Sequence, residues 1–246
     1  RVIESLGLNQ AKKITDSYQD INFEKGDIFL MADATWGIDY TKFYPIFEKA
    51  RKASVPIITV VYDILPLTLN KKIIGNWLEG VFETWFRRVV KCSDGLLTIS
   101  LSEKAAIKKQ LQVYGIERQS LSLNHWALGY KKPKRKEVEG KEHFFKIPKK
   151  PFLLMVGTIE PRKAHPLALS AMEILWSKGT SLSLCVAGSI GWNSEIFMKR
   201  LNNHSQLNRS CFFIEKPCDD HLQYLYKHAE ALLFLSYGEG FGLPLI

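Results

Sequence analysis

The chain has 246 residues, 46% of them apolar, enough for two domains of roughly 100–150 residues with cores of their own. It carries 34 basic and 25 acidic residues, a net charge of +9, and no apolar run nears the ~20 residues of a membrane-spanning helix. A largely disordered chain and a bundle of membrane helices are thereby excluded, and the four cysteines lack the close pairs a zinc site needs. Cys185 lies inside an apolar run as a small core residue, and the chain reads as cytoplasmic and reduced.

In chain order the pattern alternates strand and helix, which predicts parallel sheets covered by helices on both faces. Asp27–Met31 is a short strand and Phe43–Ala53 a helix. Val55–Val61 is a near-continuous β-branched run, the pattern of a strand buried on both faces. Within 76–91, Trp77, Leu78, Val81, Phe82, Trp85, Phe86, Val89 and Val90 fall on one helical face. That face suits the core or, with Arg87, Arg88 and Lys91 flanking it, an interfacial role. Gly95–Ser100 is the next strand, and Ser102 is placed as the cap of a helix running to about Tyr114.

Residues 131–150 break the periodicity and hold nine basic residues against three glutamates. They are assigned as a charged linker between a first domain, 1–130, and a second, 151–246. The linker is either a solvated surface or a contact for an anionic membrane or polyphosphate lipid. Nucleic acid is not expected as a partner, since no helix-turn-helix, zinc-finger or RNP pattern occurs. In the second domain Phe152–Val156, Leu182–Ala187, Cys211–Ile214 and Ala231–Leu235 read as strands. Helices fall between them: one opening near Pro166 with Leu167, Ala171, Ile174 and Leu175 on its buried face, one over Ser194–Leu201, and one over Asp219–His228.

Two segments carry chemistry. Gly157-Thr158-Ile159-Glu160-Pro161-Arg162-Lys163 leaves a strand and enters a helix. A glycine there lets the backbone approach a ligand closely, and a lysine beside helix N–H groups suits a phosphate. An ordinary strand–helix turn can read the same way. The second segment is Gly238-Glu239-Gly240-Phe241-Gly242-Leu243-Pro244, three glycines around one carboxylate at a strand end. In doubly wound sheets ligands bind at the carboxyl ends of strands.

Together the two segments resemble those of retaining family-four glycosyltransferases, whose second motif reads Glu-Gly-Phe-Gly-Leu-Pro before a further glutamate. The resemblance implies an α/β GT-B fold, two Rossmann-like domains facing a cleft, and transfer of a sugar from a nucleotide-diphospho-sugar with retention. It assigns Lys163 to the donor diphosphate, with Gly157 and Arg162 beside it. Glu239 is assigned to the donor sugar's hydroxyls, and Gly240, Phe241, Gly242 and Leu243 to backbone contacts with that sugar. Thr158 stands where such enzymes often carry an arginine.

In the first half, Val61-Tyr62-Asp63-Ile64-Leu65-Pro66 resembles a segment that often has histidine at the position of Tyr62, and the tyrosine variant resembles the subset that acts on bacterial surface polysaccharides. Asp63 then either faces the cleft as a catalytic group or caps a turn. His125 reads as structural and His165 as a helix-start residue rather than a base.

No Asp-x-Asp motif occurs, so neither metal nor cofactor is expected. The implied partners are a nucleotide sugar, with GDP-mannose the leading choice, and a lipid-linked or growing glycan. Peripheral contact with the inner membrane surface is expected as well. A nucleotide-sugar epimerase and a non-catalytic nucleotide-sugar-binding fragment are the alternatives, while a phosphorylase would need a pyridoxal-phosphate lysine motif that is absent. Because the motif's second glutamate would follow Ile246, the residues given are expected to be a segment of a longer enzyme, inactive alone.

Overall fold

The computed structural model describes residues 21–33, 35–36, 40–129, 148 and 151–246. Apart from Pro148, the charged segment 131–150 lies outside these residues, as do residues 1–20. The first half contains strands β1 (Phe29–Met31), β2 (Ile57–Val61), β3 (Gly95–Thr98) and β4 (Ser122–His125), all parallel in the order β1-β2-β3-β4. Between them run helices α1 (Tyr40–Lys52), α2 (Leu65–Thr68), α3 (Lys71–Ile74), α4 (Asn76–Cys92) and α5 (Leu101–Val113). The second half contains β5 (Phe152–Val156), β6 (Ser183–Gly188), β7 (Cys211–Glu215) and β8 (Ala231–Leu232), parallel in the order β7-β6-β5-β8. Helices α6 (His165–Ser177), α7 (Glu195–Asn202) and α8 (Asp219–His228) connect them. The expected α/β class with two parallel sheets is therefore what forms.

The inner strands of each sheet are largely buried on both faces. All six residues of β6 are buried, which is why Ser183-Leu184-Cys185-Val186-Ala187-Gly188 reads as an unbroken small and apolar run. On one face Leu184 and Val186 pack with Leu169, Met172, Phe197 and Leu201; on the other Cys185 and Ala187 pack with Phe152, Phe212 and Leu225. In the first half Phe82, Trp85, Phe86, Val89 and Val90 of α4 pack against Val61, Leu96 and Ile107.

Several local expectations are corrected. Helix α6 buries His165, Ala168, Leu169 and Met172, while Leu167 and Ile174 are more than half exposed. Both sets have i, i+3/i+4, i+7 spacing, and the stripe that faces the sheet begins with a histidine, which hydropathy alone discounts. Ser100, not Ser102, caps α5, its hydroxyl accepting the Glu103 amide at 3.1 Å. This is the Ser-x-x-Glu spacing of a helix start. Trp77, assigned to the buried face of α4, is 76% exposed in its first turn. Strand β8 is shorter than Ala231–Leu235, because it is an edge strand pairing only with Leu153 and Leu154.

The second sheet has a topological switch. From β5 the chain adds β6 and then β7 on one side, and later places β8 on the other side of β5. The loops leaving β5 and β8 therefore start from adjacent strand ends at the switch point, where doubly wound folds bind ligands. Gly188 lets the neighbouring loop settle there: a Cβ on it would lie 1.9 Å from the Gly157 carbonyl oxygen. Gly188→Ala should destabilise the fold by about 1–3 kcal/mol or more. Gly80→Ala, on the exposed side of α4 with nothing within 4 Å of its Cβ position, should instead stabilise by roughly 0.5–1 kcal/mol. Denaturant midpoints at unchanged m-value measure both; shifts of the same sign contradict this packing.

Candidate functional site

The β5 loop folds into a short 3₁₀ turn, Pro161–Lys163, ended by Ala164 in the left-handed conformation. Proline suits the first position of such a turn because no amide is needed there. The turn presents Arg162 and Lys163 toward the β8 loop. The aliphatic stem of Lys163 crosses Gly157, where a Cβ would lie 3.3 Å from Lys163 Cε. Gly157 also has φ of 147°, a region side chains resist. Its glycine is thus required by a close approach, though what approaches in this structure is the lysine itself.

Glu239 sits between the two cations. Lys163 Nζ donates to one carboxylate oxygen, and Arg162 Nη1 lies 2.8 Å from the other. Arg162 also donates to the Gly238 carbonyl at 2.7 Å and to Glu160 at 2.6 Å, while its own carbonyl accepts the Tyr237 amide at 3.0 Å. Trp192, in the loop after β6, donates its indole N–H to the second oxygen of Glu160 at 2.8 Å. The network is well shielded, with side-chain exposures of 12% for Lys163 and 17% for Glu239. Burial alone would raise the Glu239 pKa, but hydrogen bonds from Lys163, Ser236 and Arg162 outweigh it, and the net shift is downward. Glu239 is held ionised.

The first half closes over this loop. A Cβ on Gly238 would lie 2.9 Å from Leu65 Cδ2, and one on Gly240 would lie 3.1 Å from Asp63 Cβ. The glycines expected to serve a ligand thus also serve contact between the two halves. Asp63 caps a turn and also stands beside the glycine loop of the second half. Its Oδ1 accepts the Leu65 amide at 3.1 Å, capping the turn into α2, and its side chain faces Gly240 at the junction. Burial raises its pKa above the usual carboxylate value, helped by Glu239 and Glu160 and opposed by the Leu65 amide and Arg162. Tyr62 donates its hydroxyl to the Ala32 carbonyl at 2.8 Å, bracing β2 against the loop after β1.

Of the residues singled out from sequence, Asp63, Gly157, Arg162, Lys163, Glu239 and Gly240 converge, with Phe241, Gly242 and Leu243 following on the same loop. Gly242 has φ of 89°, and Leu243 opens a 3₁₀ turn. His125 is exposed at the end of β4 and makes no part of the cluster. His165 is 2% exposed, its ring tilted against Phe197, and its pKa falls to about 4 through burial and then the Lys163 charge. It stays neutral at the start of α6. Among the described residues no group of three or more His, Cys, Asp or Glu side chains could hold a metal ion, and all four cysteines are unpaired.

Sequence reasoning missed Glu160, Trp192, Ser100 and Glu103. Only Ser100 and Glu103 left a signal, the capping spacing. Glu103 reaches across to the Ile64 amide at 3.1 Å instead of back to its own helix.

Comparison with known proteins follows the same lines. Residues 139–246 match the family described as glycosyl transferases group 1. The chain is 31% identical to the serotype-specific mannosyltransferase WbdA of Escherichia coli, a match covering 93% of this chain and 29% of that protein. Among solved structures it is similar to HepE of Anabaena in complex with UDP and glucose, with TM-score 0.61 and 12% identity over 87% of this chain and 55% of that one. It is similar also to TarM, with TM-score 0.57 and 13% identity over 87% of this chain and 37% of that one. Its second half thus matches the group 1 glycosyltransferase family, its fold is similar to that of GT-B glycosyltransferases, and the chain resembles polysaccharide mannosyltransferases. It spans less than a third of the length of the mannosyltransferases it matches.

Glu103 offers a direct probe of the junction. It is 5% exposed, and its pKa is pushed from 4.5 to about 7, mainly by burial and secondarily by the Asp63 charge, against the Ile64 amide. The folded state then holds the proton more tightly than the unfolded one. Its contribution is fully present below 4.5 and is lost as pH rises through about 7. His165, lowered from 6.5 to about 4, gives the opposite slope over an overlapping window. The stability of Glu103→Gln relative to the parent should therefore rise with pH across that window, by on the order of 2 kcal/mol. A flat difference in denaturation free energy would show that Glu103 is solvated.

Proposed function

We propose that these residues form the donor site, and the surface facing it, of a retaining glycosyltransferase. It would move mannose from GDP-mannose to a lipid-linked or growing polysaccharide. The observation that carries this reading is the Arg162–Lys163–Glu239 cluster at the switch point between β5 and β8. A nucleotide sugar brings both a diphosphate and a set of hydroxyl donors to one place. Lys163 supplies a cation for the first, and Glu239, held ionised, supplies acceptors for the second. On donor binding the carboxylate exchanges part of its bonding with the cations for sugar hydroxyls, and Lys163 turns to the diphosphate.

Departure of the nucleoside diphosphate is the step in which negative charge grows. A shielded lysine already aimed at the loop stabilises that charge without reorganising solvent. Asp63 lies on the acceptor side of the same junction, with a raised pKa that suits proton exchange with an acceptor hydroxyl. HepE and the pneumococcal transferase GtfA are solved with UDP and a sugar, which favours a nucleotide-sugar donor here. The mannosyl choice rests on the WbdA similarity. No helix among the described residues is long and apolar enough to cross a membrane; contact with a lipid-linked acceptor would be peripheral.

Thermal melting with GDP-, UDP-, dTDP- and ADP-sugars tests the donor, because a ligand that binds only the native state raises its melting temperature. GDP-mannose should give the largest shift, and no shift with any of the four contradicts the donor site. Lys163→Ala should weaken nucleoside diphosphate binding by about 1.5–3 kcal/mol, roughly 10- to 150-fold, and leave free nucleoside binding little changed. Equal diphosphate affinity in variant and parent would remove Lys163 from the site.

A further inference from the structure

Ser100 caps α5 in the first half, yet its hydroxyl bonds to the glycine loop of the second. Its Oγ accepts the Glu103 amide at 3.1 Å, lies 2.9 Å from Ser102 Oγ, and lies 2.8 Å from the Gly240 carbonyl oxygen, 140 residues away. Proton accounting settles the directions. A carbonyl only accepts, so the single Ser100 proton goes to Gly240. The Glu103 amide takes one lone pair, and Ser102 donates into the other. The hydroxyl is then fully used, with its orientation fixed by two partners on its own helix.

This bond orients a peptide. No cis peptide occurs among the described residues, so the C=O and N–H of the Gly240–Phe241 unit point in opposite directions. With the carbonyl held by Ser100 on the first half, the Phe241 amide turns away from that contact. Among the described residues it meets no hydrogen-bond acceptor. Gly240 is buried, and the Tyr62 carbonyl and Asp63 Cβ lie 3.2 and 3.1 Å from its Cβ position, so the unit has little room to flip.

We infer that Ser100 is a positioning residue for the sugar loop: it sets the Gly240–Phe241 peptide plane so that the Phe241 amide is presented to the donor sugar. The inference rests on the donor-site reading above and extends it. The first half contributes to donor recognition without touching the donor, and the donor loop is set only when the two halves are engaged.

The test uses three variants. Ser100→Gly removes the hydroxyl but leaves a residue that caps a helix nearly as well as serine. Ser100→Asp keeps an acceptor for the Glu103 amide and has no proton to donate. Ser100→Thr keeps both functions. Binding of GDP-mannose and of GDP is titrated calorimetrically in each, with turnover measured in the full-length protein that carries these residues.

The expected result is a loss of about three- to tenfold in GDP-mannose affinity for the Gly and Asp variants, the scale of one hydrogen bond. GDP affinity should be unchanged, and the Thr variant should behave as the parent. A structural role alone would lower the melting temperature of the Gly variant and weaken both ligands together; that result overturns the inference, as does unchanged sugar discrimination in the Gly and Asp variants. If the Gly variant does not fold, the Asp and Thr pair decides the same question. A parent that binds GDP but gains nothing from the mannosyl group overturns the inference and the sugar half of the donor reading together. A parent that binds neither ligand overturns the donor reading itself.

Discussion

One carboxylate between two cations organises the second half of this protein. Arg162 and Lys163 are adjacent in a single 3₁₀ turn, and together they hold both oxygens of Glu239 on the loop that leaves the neighbouring strand, β8. An exposed ion pair contributes little, but this one is shielded, and the arginine also holds the Gly238 carbonyl. Removing either cation would leave a half-buried charge undercompensated, which costs more than the pair itself is worth. The bracket fixes where the glycine loop lies, and the contacts of Gly238 and Gly240 with the first half depend on that placement.

Carboxylates from both halves meet at the junction. Asp63, Glu103, Glu160 and Glu239 gather near the junction, and their mutual repulsion together with burial raises the first two. Arg162 and Lys163 offset the charge, and the Leu65 and Ile64 amides satisfy Asp63 and Glu103. The site is therefore a seam in which each of these four carboxylates has a defined partner. Entry of a ligand with its own negative charge and hydroxyl donors would redistribute these partners rather than create an arrangement from nothing.

Much of this was legible in the residues. A β-branched run marked the buried strand β2 and largely apolar runs marked β5 and β6, and the two glycine-bearing strand ends marked the loops that meet. What was not legible depends on long-range order. Nothing in the local pattern of Ala231–Leu235 says that β8 lies beside β5 and not beyond β7, yet that choice creates the switch point. The buried stripe of α6 was misread because His165 belongs to it and Leu167 does not. Ser100 and Ser102 both offer a hydroxyl, and only the Glu103 amide, three residues on from Ser100, decides between them. The roles of Gly238 and Gly240 were half seen: room for a close approach was expected, but the near neighbours here are Leu65 and Asp63 of the other half.

The central claim is that Glu239, kept ionised by Arg162 and Lys163, is the acceptor for donor-sugar hydroxyls. Calorimetric titration of Glu239→Gln with GDP-mannose and with GDP tests it most directly. The account predicts that the affinity increment supplied by the sugar is lost, while GDP binds as well as before or tighter, since Lys163 no longer shares its charge with a carboxylate. A parallel loss of affinity for both ligands would contradict it and would make Glu239 only a brace for the loop.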